Sequence, residues 1–284
     1  MTNILEIDFS KIPNPEIKDV LLSLDKAFRE FGIDFYLIGA RARDLWFSAN
    51  EIPPHRFTRD IDFAILVPDI VKFKELTGYL SETGKFDMIE DVPHQVIFIK
   101  NGMLIDLIPF GGIEKSGYIH FNDRFDTRIS VLGLHEVFKK SVEAHISDEV
   151  KIRLATLPGL CILKLLAWND KPEIRQYDIE DIYSIILNFF DIESDKIYEK
   201  HLDLFDYDNF EIQNAGARVM GRQIADIIDQ SDKLKERIIS ILEDNTSNPE
   251  NSNMGMIIAE KYDTEVNTAV ELLRSMLTGI KEKY

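Results

Sequence analysis

The sequence predicts an α+β domain followed by a helical domain. Two observations support this division. Two strand-like runs within residues 94–110 flank Asn101-Gly102, a residue pair that favours a type I′ hairpin turn. In the second half of the chain, apolar residues instead recur with the spacing of amphipathic helices. We therefore expect a first domain at residues 1–155 and a helical domain at residues 156–284.

The first half alternates helix-like and strand-like stretches. Apolar residues three or four positions apart indicate helices, and short apolar or alternating runs indicate strands. The expected elements are, in order, helix 15–31, strand 34–39, a helix beginning within 40–47, strand 57–67, helix 69–81, hairpin 94–110 and further strands within 127–155.

Composition limits the class of protein. Hydrophobic residues make up 45% of the 284 residues, enough for a sizeable core. Cys161 is the single cysteine, so no intrachain disulfide forms and a reducing compartment fits. The sequence begins without a signal-peptide pattern and contains no apolar run as long as a membrane span, so we expect a cytoplasmic protein without membrane contact. The net charge of −17 makes extensive contact with nucleic acid phosphates unfavourable.

Acidic residues occur inside strands that otherwise suit a core. Asp60 and Asp62 share one face of strand 57–67, and Asp106 lies in the second arm of the hairpin. Like charges at this spacing repel, so they do not stabilise a fold. Three carboxylates on neighbouring strands are suited to hold two Mg²⁺ ions for phosphoryl transfer. The alternative is an exposed edge strand that carries charges to prevent aggregation; the ordered set of three acids favours metal binding.

A glycine follows the strand that precedes these acids. Gly39 lets a phosphate chain approach the backbone closely, and the helix that begins beside it offers unpaired N–H groups. Arg41 or Arg43 would add charge-assisted hydrogen bonds to phosphate. The alternative for Arg43 is a surface ion pair with Asp44. The six histidines show no metal-ligand spacing and receive no role, and Walker, Rossmann and G-x-S-x-G motifs are absent from the sequence.

These motifs, in this order, resemble the nucleotidyltransferase (DNA polymerase beta-like) superfamily. Its signature is a glycine and a small residue, here Gly39-Ala40, then Asp60-Ile61-Asp62 about twenty residues later and a third acid on a later strand. Within this superfamily the sequence most resembles the AbiEii family, the nucleotidyltransferase toxins of type IV toxin–antitoxin systems. That family pairs an R-x-T-x-D-I-D motif, here at residues 56–62, with a helical lysine and an R-x-x-D-x-x-D helix. The matching residues are Lys164, Arg175, Asp178 and Asp181.

The resemblance implies a mixed sheet flanked by helices and a Mg²⁺-dependent transferase. It would move an NMP from an NTP such as ATP to a protein, a small molecule or a tRNA end. Asp60, Asp62 and Asp106 would hold two metal ions, with Asp106 as general base. The implied nucleotide contacts are Gly39, Ala40, Arg43, Thr58 and Lys164. The partners would be the NTP, an acceptor and a cognate antitoxin.

Lys164 and Asp178 also have simpler structural explanations, and Ala40 is consistent with a different function. Lys164 is equally consistent with a lysine whose stem covers a helix edge. Asp178 more simply serves as a partner of its own helix dipole. Ala40 replaces the serine or glycine usual in the superfamily, which favours a second hypothesis. In that hypothesis the fold has lost catalysis and binds a protein partner.

Overall fold

A computed structural model describes most of the chain. It covers residues 4–6, 17–53, 60–121, 123–147, 150–206 and 210–283. The chain divides into two compact units, Met1–Thr156 and Leu157–Tyr284.

In the residues that the structure describes, the first unit combines strands and helices. Its strands are β1 (Ile4–Glu6), β2 (Phe35–Ile38), β3 (Ile61–Leu66), β4 (Phe86–Met88), β5 (Gln95–Phe98), β6 (Met103–Phe110), β7 (Tyr118–His120), β8 (Arg128–Ser130), β9 (Val142–Ser147) and β10 (Val150–Leu154). Its helices are α1 (Ile17–Phe31), α2 (Gly39–Ala49), α3 (Ile70–Glu82) and α4 (Leu134–Lys140).

Eight strands form one mixed sheet in the order β1-β9-β10-β2-β3-β6-β5-β4, and β7 and β8 form a separate two-stranded sheet. At the centre, β3 runs antiparallel to β2 and parallel to β6. The last strands of the unit, β9 and β10, extend the sheet beyond β2, as the sequence predicted for residues 127–155. The predicted α+β architecture, a mixed sheet with flanking helices followed by further helices, is confirmed.

The hairpin between β5 and β6 is confirmed, but its predicted turn type is wrong. Phe98 pairs with Met103, so the loop has four residues rather than two. A type I′ turn needs a positive φ at both central residues, and in Asn101-Gly102 only Gly102, at φ +69°, has one. The N–H of Gly102 donates to the carbonyl of Phe98 at 2.9 Å. Gly102 therefore closes a four-residue loop instead of a two-residue turn. The length of this loop sets the register between β5 and β6.

An aromatic cluster fixes the apolar face of β3. The ring of Phe28 on α1 lies 4.4 Å from Phe35 on β2 and 6.1 Å from Phe63 on β3, measured between centroids. All of Phe28 and Phe63 is buried. Because strand side chains alternate, covering this face of β3 with α1 leaves Asp62 on the opposite face.

The second unit is helical in its described part. Its helices are α5 (Leu157–Asp170), α6 (Gln176–Ile192), α7 (Ser194–Lys200), α8 (Ile212–Ile228), α9 (Asp232–Thr246), α10 (Asn253–Tyr262) and α11 (Val266–Lys281). None of the helices in the ranges given above is both long and apolar enough to cross a membrane.

Two glycines let α8 and α11 approach backbone to backbone. A Cβ built on Gly221 of α8 would overlap the carbonyl oxygen of Met276 on α11. A Cβ on Gly279 of α11 would overlap the carbonyl oxygen of Arg218 on α8 and lie 2.8 Å from its carbonyl carbon. The absence of a side chain on each glycine thus leaves room for the backbone of the other helix. A methyl group at either position would overlap that backbone.

Candidate active site

The parallel register of β3 and β6 places two of the predicted acids side by side. Asp62 on β3 pairs with Asp106 on β6, and Asp106 pairs on its other side with Gln95 on β5. Three polar side chains therefore form one row across adjoining strands. Asp60 lies immediately before β3 and is exposed, so it stands next to the row rather than within the ladder.

The local sequence explains why these carboxylates share a face. Ile61 and Phe63 are fully buried, whereas Asp62 between them is only partly buried. On β6, Asp106 is likewise partly buried between the fully buried Ile105 and Leu107. The alternation predicted from sequence is therefore present on both strands, and it directs the two acids toward the same side of the sheet.

Gly39 is the first residue of α2 and lies against Asp62. Its φ is +70°, a conformation that non-glycine residues adopt with strain. A Cβ at this position would overlap Oδ2 of Asp62 and lie 2.8 Å from Cγ. Glycine is therefore required at position 39 because a side chain would displace the carboxylate of Asp62. This requirement was not apparent from the sequence. Contact of Gly39 with a phosphate remains a prediction.

The pKa of Asp106 lies above its ordinary value. Burial is the main cause, and the negative charge of Asp60 acts in the same direction; hydrogen bonds with the side chains of Gln95 and Asp62, and His94, act against it. A hydrogen bond between two carboxyl groups requires that they share a proton. Oδ1 of Asp106 is also buried, with no hydrogen-bond partner in the described part of the chain. Asp106 therefore lies within the field of the negative charge of Asp60 and has one carboxylate oxygen that makes no hydrogen bond within the described residues.

A Mg²⁺ ion fits this pair in its donor chemistry. It prefers oxygen ligands, and protein sites often supply one or two carboxylates while substrate phosphates supply the rest. Across the described residues, no three His, Cys, Asp or Glu side chains gather closely enough to hold a metal ion by themselves.

The two candidate arginines on α2 have different surroundings. Arg43 is fully buried, its Nε donates to Oδ1 of Asp44 at 3.0 Å, and its guanidinium lies 5.9 Å from the ring centre of Phe47. The pair with Asp44 exists, but in the interior rather than at the surface. Arg41 is also buried; burial lowers its pKa, and the charges of Asp44 and Asp60 oppose that shift. The negative charge of Asp60, a candidate site residue, therefore acts on Arg41.

Lys164 belongs to a buried ion cluster of the helical unit. Its Nζ lies 2.8 Å from Oδ1 of Asp178 and 2.7 Å from Oδ2 of Asp181. Arg175 adds a longer contact, 3.6 Å, to Oδ2 of Asp178. Lys164 is thus not a lysine whose head reaches solvent, and Asp178, although in the first turn of α6, has a side-chain partner. Contact between Lys164 and a nucleotide remains a prediction.

The other predicted nucleotide contacts are only partly visible. Ala40 is buried at the start of α2. Thr58 lies outside the described residues, as do the flanking Arg56 and Arg59.

Sequence reasoning missed two neighbours of Asp106, Gln95 and His94. Gln95 is identified only by the strand register, which the hairpin loop sets. The charge of Asp106 acts on His94, whose pKa is lowered mainly by burial. With the four-residue loop, Phe98 pairs with Met103, and continuing that pairing along both strands places Gln95 opposite Asp106. The two-residue loop predicted from the sequence gives a different partner for Asp106.

Comparison with known proteins gives a family. The model of the family described as "Nucleotidyl transferase AbiEii toxin, Type IV TA system" matches residues 23–247. No curated protein matches the sequence.

Several solved structures are similar to this chain at low identity. One is an antigenic nucleotidyltransferase-like protein from Paracoccidioides brasiliensis, with 17% identity, 70% of this chain and 93% of that chain covered, and a TM-score of 0.43. Another is the antibiotic-resistance factor ANT(2'')-Ia in solution, at 12% identity, 74% and 95% coverage and a TM-score of 0.38. A CCA-adding enzyme in complex with ATP has 14% identity, 96% and 71% coverage and a TM-score of 0.33. The family match, which spans most of the chain, shows that the protein belongs to the AbiEii nucleotidyltransferase family.

Proposed function

We propose that the protein is a Mg²⁺-dependent nucleotidyltransferase that moves an NMP from an NTP, such as ATP, to an acceptor. The observation that carries this proposal is the pairing of Asp62 with Asp106 on adjoining parallel strands. Gly39 supports it, because its bare backbone accommodates the carboxylate of Asp62 where a helix begins. Two acids forced together at a helix N-terminus suit a site for a cation and phosphates.

Each candidate residue has a defined task in the proposed reaction. Asp60 and Asp62 hold the metal ions, two by family resemblance, and Asp106 completes the site. When bound, Mg²⁺ neutralises charge on the phosphates and aligns attacking and leaving oxygens. The acceptor oxygen forms a bond to the α-phosphorus, and the bond from that phosphorus to the bridging oxygen breaks. Pyrophosphate leaves with the electron pair, and Asp106 takes the acceptor proton, a role that its raised pKa suits.

The proposed nucleotide contacts are supported unequally. Gly39 and Ala40 lie at the N-terminus of α2, where backbone N–H groups favour phosphate. Arg43 and Lys164 are buried against carboxylates, so either would have to leave its partner to bind phosphate. Thr58 is proposed from the family motif alone.

The proposed setting is a cytoplasmic toxin that acts with a cognate antitoxin, as the family description suggests. The net charge of −17 disfavours an acceptor held by many phosphate contacts. We therefore propose a protein, a small molecule or only the end of a tRNA as acceptor.

The test is transfer of label from each NTP to components of a cell extract, with Mg²⁺ or with EDTA. We expect Mg²⁺-dependent labelling that Asp60→Asn combined with Asp62→Asn abolishes while the thermal unfolding midpoint stays the same or rises. Asp87→Asn is the matched control, because Asp87 is an exposed acid on the edge strand β4. Full activity of the double variant would refute the metal assignment.

The second candidate function is a binding module without catalysis. Ala40, in place of the usual serine or glycine, favours it by removing a hydroxyl or a bare backbone from the nucleotide site. Calorimetric titration with NTP, with and without Mg²⁺, separates the two. Absence of both NTP binding and label transfer would support the binding module.

A further inference from the structure

A column of aromatic rings reaches the surface of the helical unit. The ring of Phe205 stacks on Tyr198 with centroids 5.1 Å apart and an interplanar angle of 14°, and on Phe210 at 5.0 Å and 27°. Phe190 meets all three rings edge-on, with centroids 5.8–6.5 Å apart. Phe190 is buried, whereas 55% of Tyr198 and 36% of Phe210 are exposed. The column therefore has a buried inner side and an open outer side.

A leucine enlarges this apolar surface. A short 3₁₀ helix, Leu202–Asp206, follows α7, and side chains three positions apart in such a helix lie on the same side. Leu202 therefore stands beside Phe205, and 63% of it is exposed. We call Tyr198, Leu202, Phe205 and Phe210 the aromatic patch. Contiguous exposed apolar groups with a polar surround mark interaction sites on soluble proteins.

The segment that carries the aromatic patch is anchored on its other side. Ile197 of α7 and Leu204 of the 3₁₀ helix are buried. Nη1 of Arg222 on α8 donates to Oδ1 of Asp203 at 3.0 Å and lies 3.0 Å from Nδ1 of His201. The exposure of the patch is therefore not a result of loose packing. A surface that is already ordered also loses little conformational freedom when a partner binds.

Acidic residues surround the aromatic patch. Residues 191–212 contain eight acids and two lysines, a net charge of −6 out of −17 for the whole chain. Asp195 lies three positions before Tyr198 on α7, which places it beside that ring on the helix surface. Asp195, Glu199 and Asp203 are all exposed. Such a rim repels a second copy of this chain and the phosphates of nucleic acid, whereas it attracts lysine and arginine.

We propose that the aromatic patch is a docking surface for a protein partner that presents a basic amphipathic segment. Apolar side chains of that segment cover the rings, and its lysines or arginines face the acidic rim. Protein interfaces commonly combine aromatic anchors at the centre with a polar rim. The patch lies within the helical unit, and its residues have no task in the proposed reaction. Docking here is therefore independent of NMP transfer.

The first experiment tests the chemistry of the partner with the full chain and a fluorescent peptide. The probe is a short peptide of lysine and leucine at helical spacing, and binding is measured by fluorescence anisotropy at low salt. One control peptide has serine in place of leucine, and another has glutamate in place of lysine. We expect the lysine–leucine peptide to bind more tightly than either control, and its affinity to fall as salt screens the acidic rim.

The second experiment places the peptide on the aromatic patch. Leu202→Ser and, separately, Tyr198→Ser should weaken binding by about tenfold or more, because the peptide then covers less apolar surface. Val71→Ser is the matched control, since Val71 on α3 is 60% exposed but lies in the first unit. It should change affinity by less than about twofold. Label transfer from NTP should be unchanged in all three variants.

The acidic rim has its own pair of variants. Asp195→Asn combined with Glu199→Gln should weaken peptide binding at low salt and make it less sensitive to salt. Asp87→Asn combined with Glu90→Gln removes the same charge from exposed positions of the first unit, and should leave binding close to wild type.

Three outcomes would overturn the docking surface. One is a lysine–leucine peptide that fails to bind wild type at low salt or binds no better than its serine control. Another is equal weakening by the patch variants and by Val71→Ser. The last is a dimer, detected by light scattering, that Leu202→Ser dissociates, because the patch would then join two copies of this chain. If Tyr198→Ser does not fold, as judged by thermal unfolding, Leu202→Ser still decides.

Discussion

Replacing Gly39 by alanine tests the candidate site through its geometry. The new methyl group would overlap Oδ2 of Asp62 and lie 2.8 Å from Cγ, whereas ordinary contacts begin near 3.4 Å. The difference between these values requires Cγ to move by at least about 0.6 Å, and Oδ2 must move further. The carboxylate is the flexible partner, so it leaves its place beside Asp106.

The expected loss follows from two separate effects. A left-handed backbone conformation costs alanine about 1–2 kcal/mol of stability. Misplacing a reacting group by about 1 Å costs roughly 100-fold in rate, which equals about 2.7 kcal/mol in the activation barrier. We therefore expect Gly39→Ala to fold with slightly reduced stability and to transfer NMP at about 1% of the wild-type rate.

The assay is label transfer from NTP, with thermal unfolding measured on the same samples. Gly84→Ala is the matched control: Gly84 has a similar φ of +67°, but a Cβ there meets no described atom within 4 Å. Both variants should lose comparable stability, and only Gly39→Ala should lose activity. Equal activities would refute the view that the Asp62 position matters for transfer.

Three further predictions concern stability and reactivity. Gly279→Ala should lower the free energy of urea unfolding by about 1–3 kcal/mol, because its methyl meets the α8 backbone. Gly78→Ala, where no described atom lies within 4 Å, should instead raise that free energy by up to about 1 kcal/mol, and a loss at this control would contradict the packing argument. Cys161 should resist iodoacetamide at pH 8 until the chain unfolds, since burial raises the pKa of its thiol to about 12; labelling of native protein, measured by mass spectrometry, would contradict this. Burial alone lowers the pKa of Lys164, but its two carboxylate partners outweigh burial and raise it above the usual 10.5. The stability that Lys164 contributes through its raised pKa is thus fully present below pH 10.5 and is lost as pH rises through the higher folded value. Asp181→Asn should cost about 3–5 kcal/mol in urea unfolding, nearly constant from pH 7 to 10; a cost that shrinks across that range would contradict this.

Periodicity predicted the fold well because most elements have one apolar face. The strand with buried Ile61 and Phe63 and the helical second half follow from local patterns alone. The turn type did not follow, because Asn101-Gly102 suits several loop lengths and the β5–β6 register decides between them. Local sequence sets which face is apolar, whereas pairing across strands needs the tertiary structure.

The sequence predicted those residues of the candidate active site that are acids within apolar strands. It did not predict residues whose position in the site depends on contacts between parts of the chain that are far apart in sequence. Asp62 and Asp106 stood out because a core strand gains nothing from a charge. Gln95 gave no such signal, since its place beside Asp106 arises from the pairing of β5 with β6. Lys164 looked ambiguous because its two partners lie on another helix, α6.

The buried cluster of Lys164 with Asp178 and Asp181 has a consequence for how this sequence can diverge. Loss of Lys164 would leave the carboxylates of Asp178 and Asp181 buried without their cation, and loss of either acid would remove one of the two ion pairs. Breaking a buried ion pair in this way lowers the free energy of unfolding by about 3–5 kcal/mol. A whole domain is often only 5–15 kcal/mol stable, so selection removes most lineages that change one member first. The three positions should therefore be inherited as a unit, and homologues should either keep all three or replace them together.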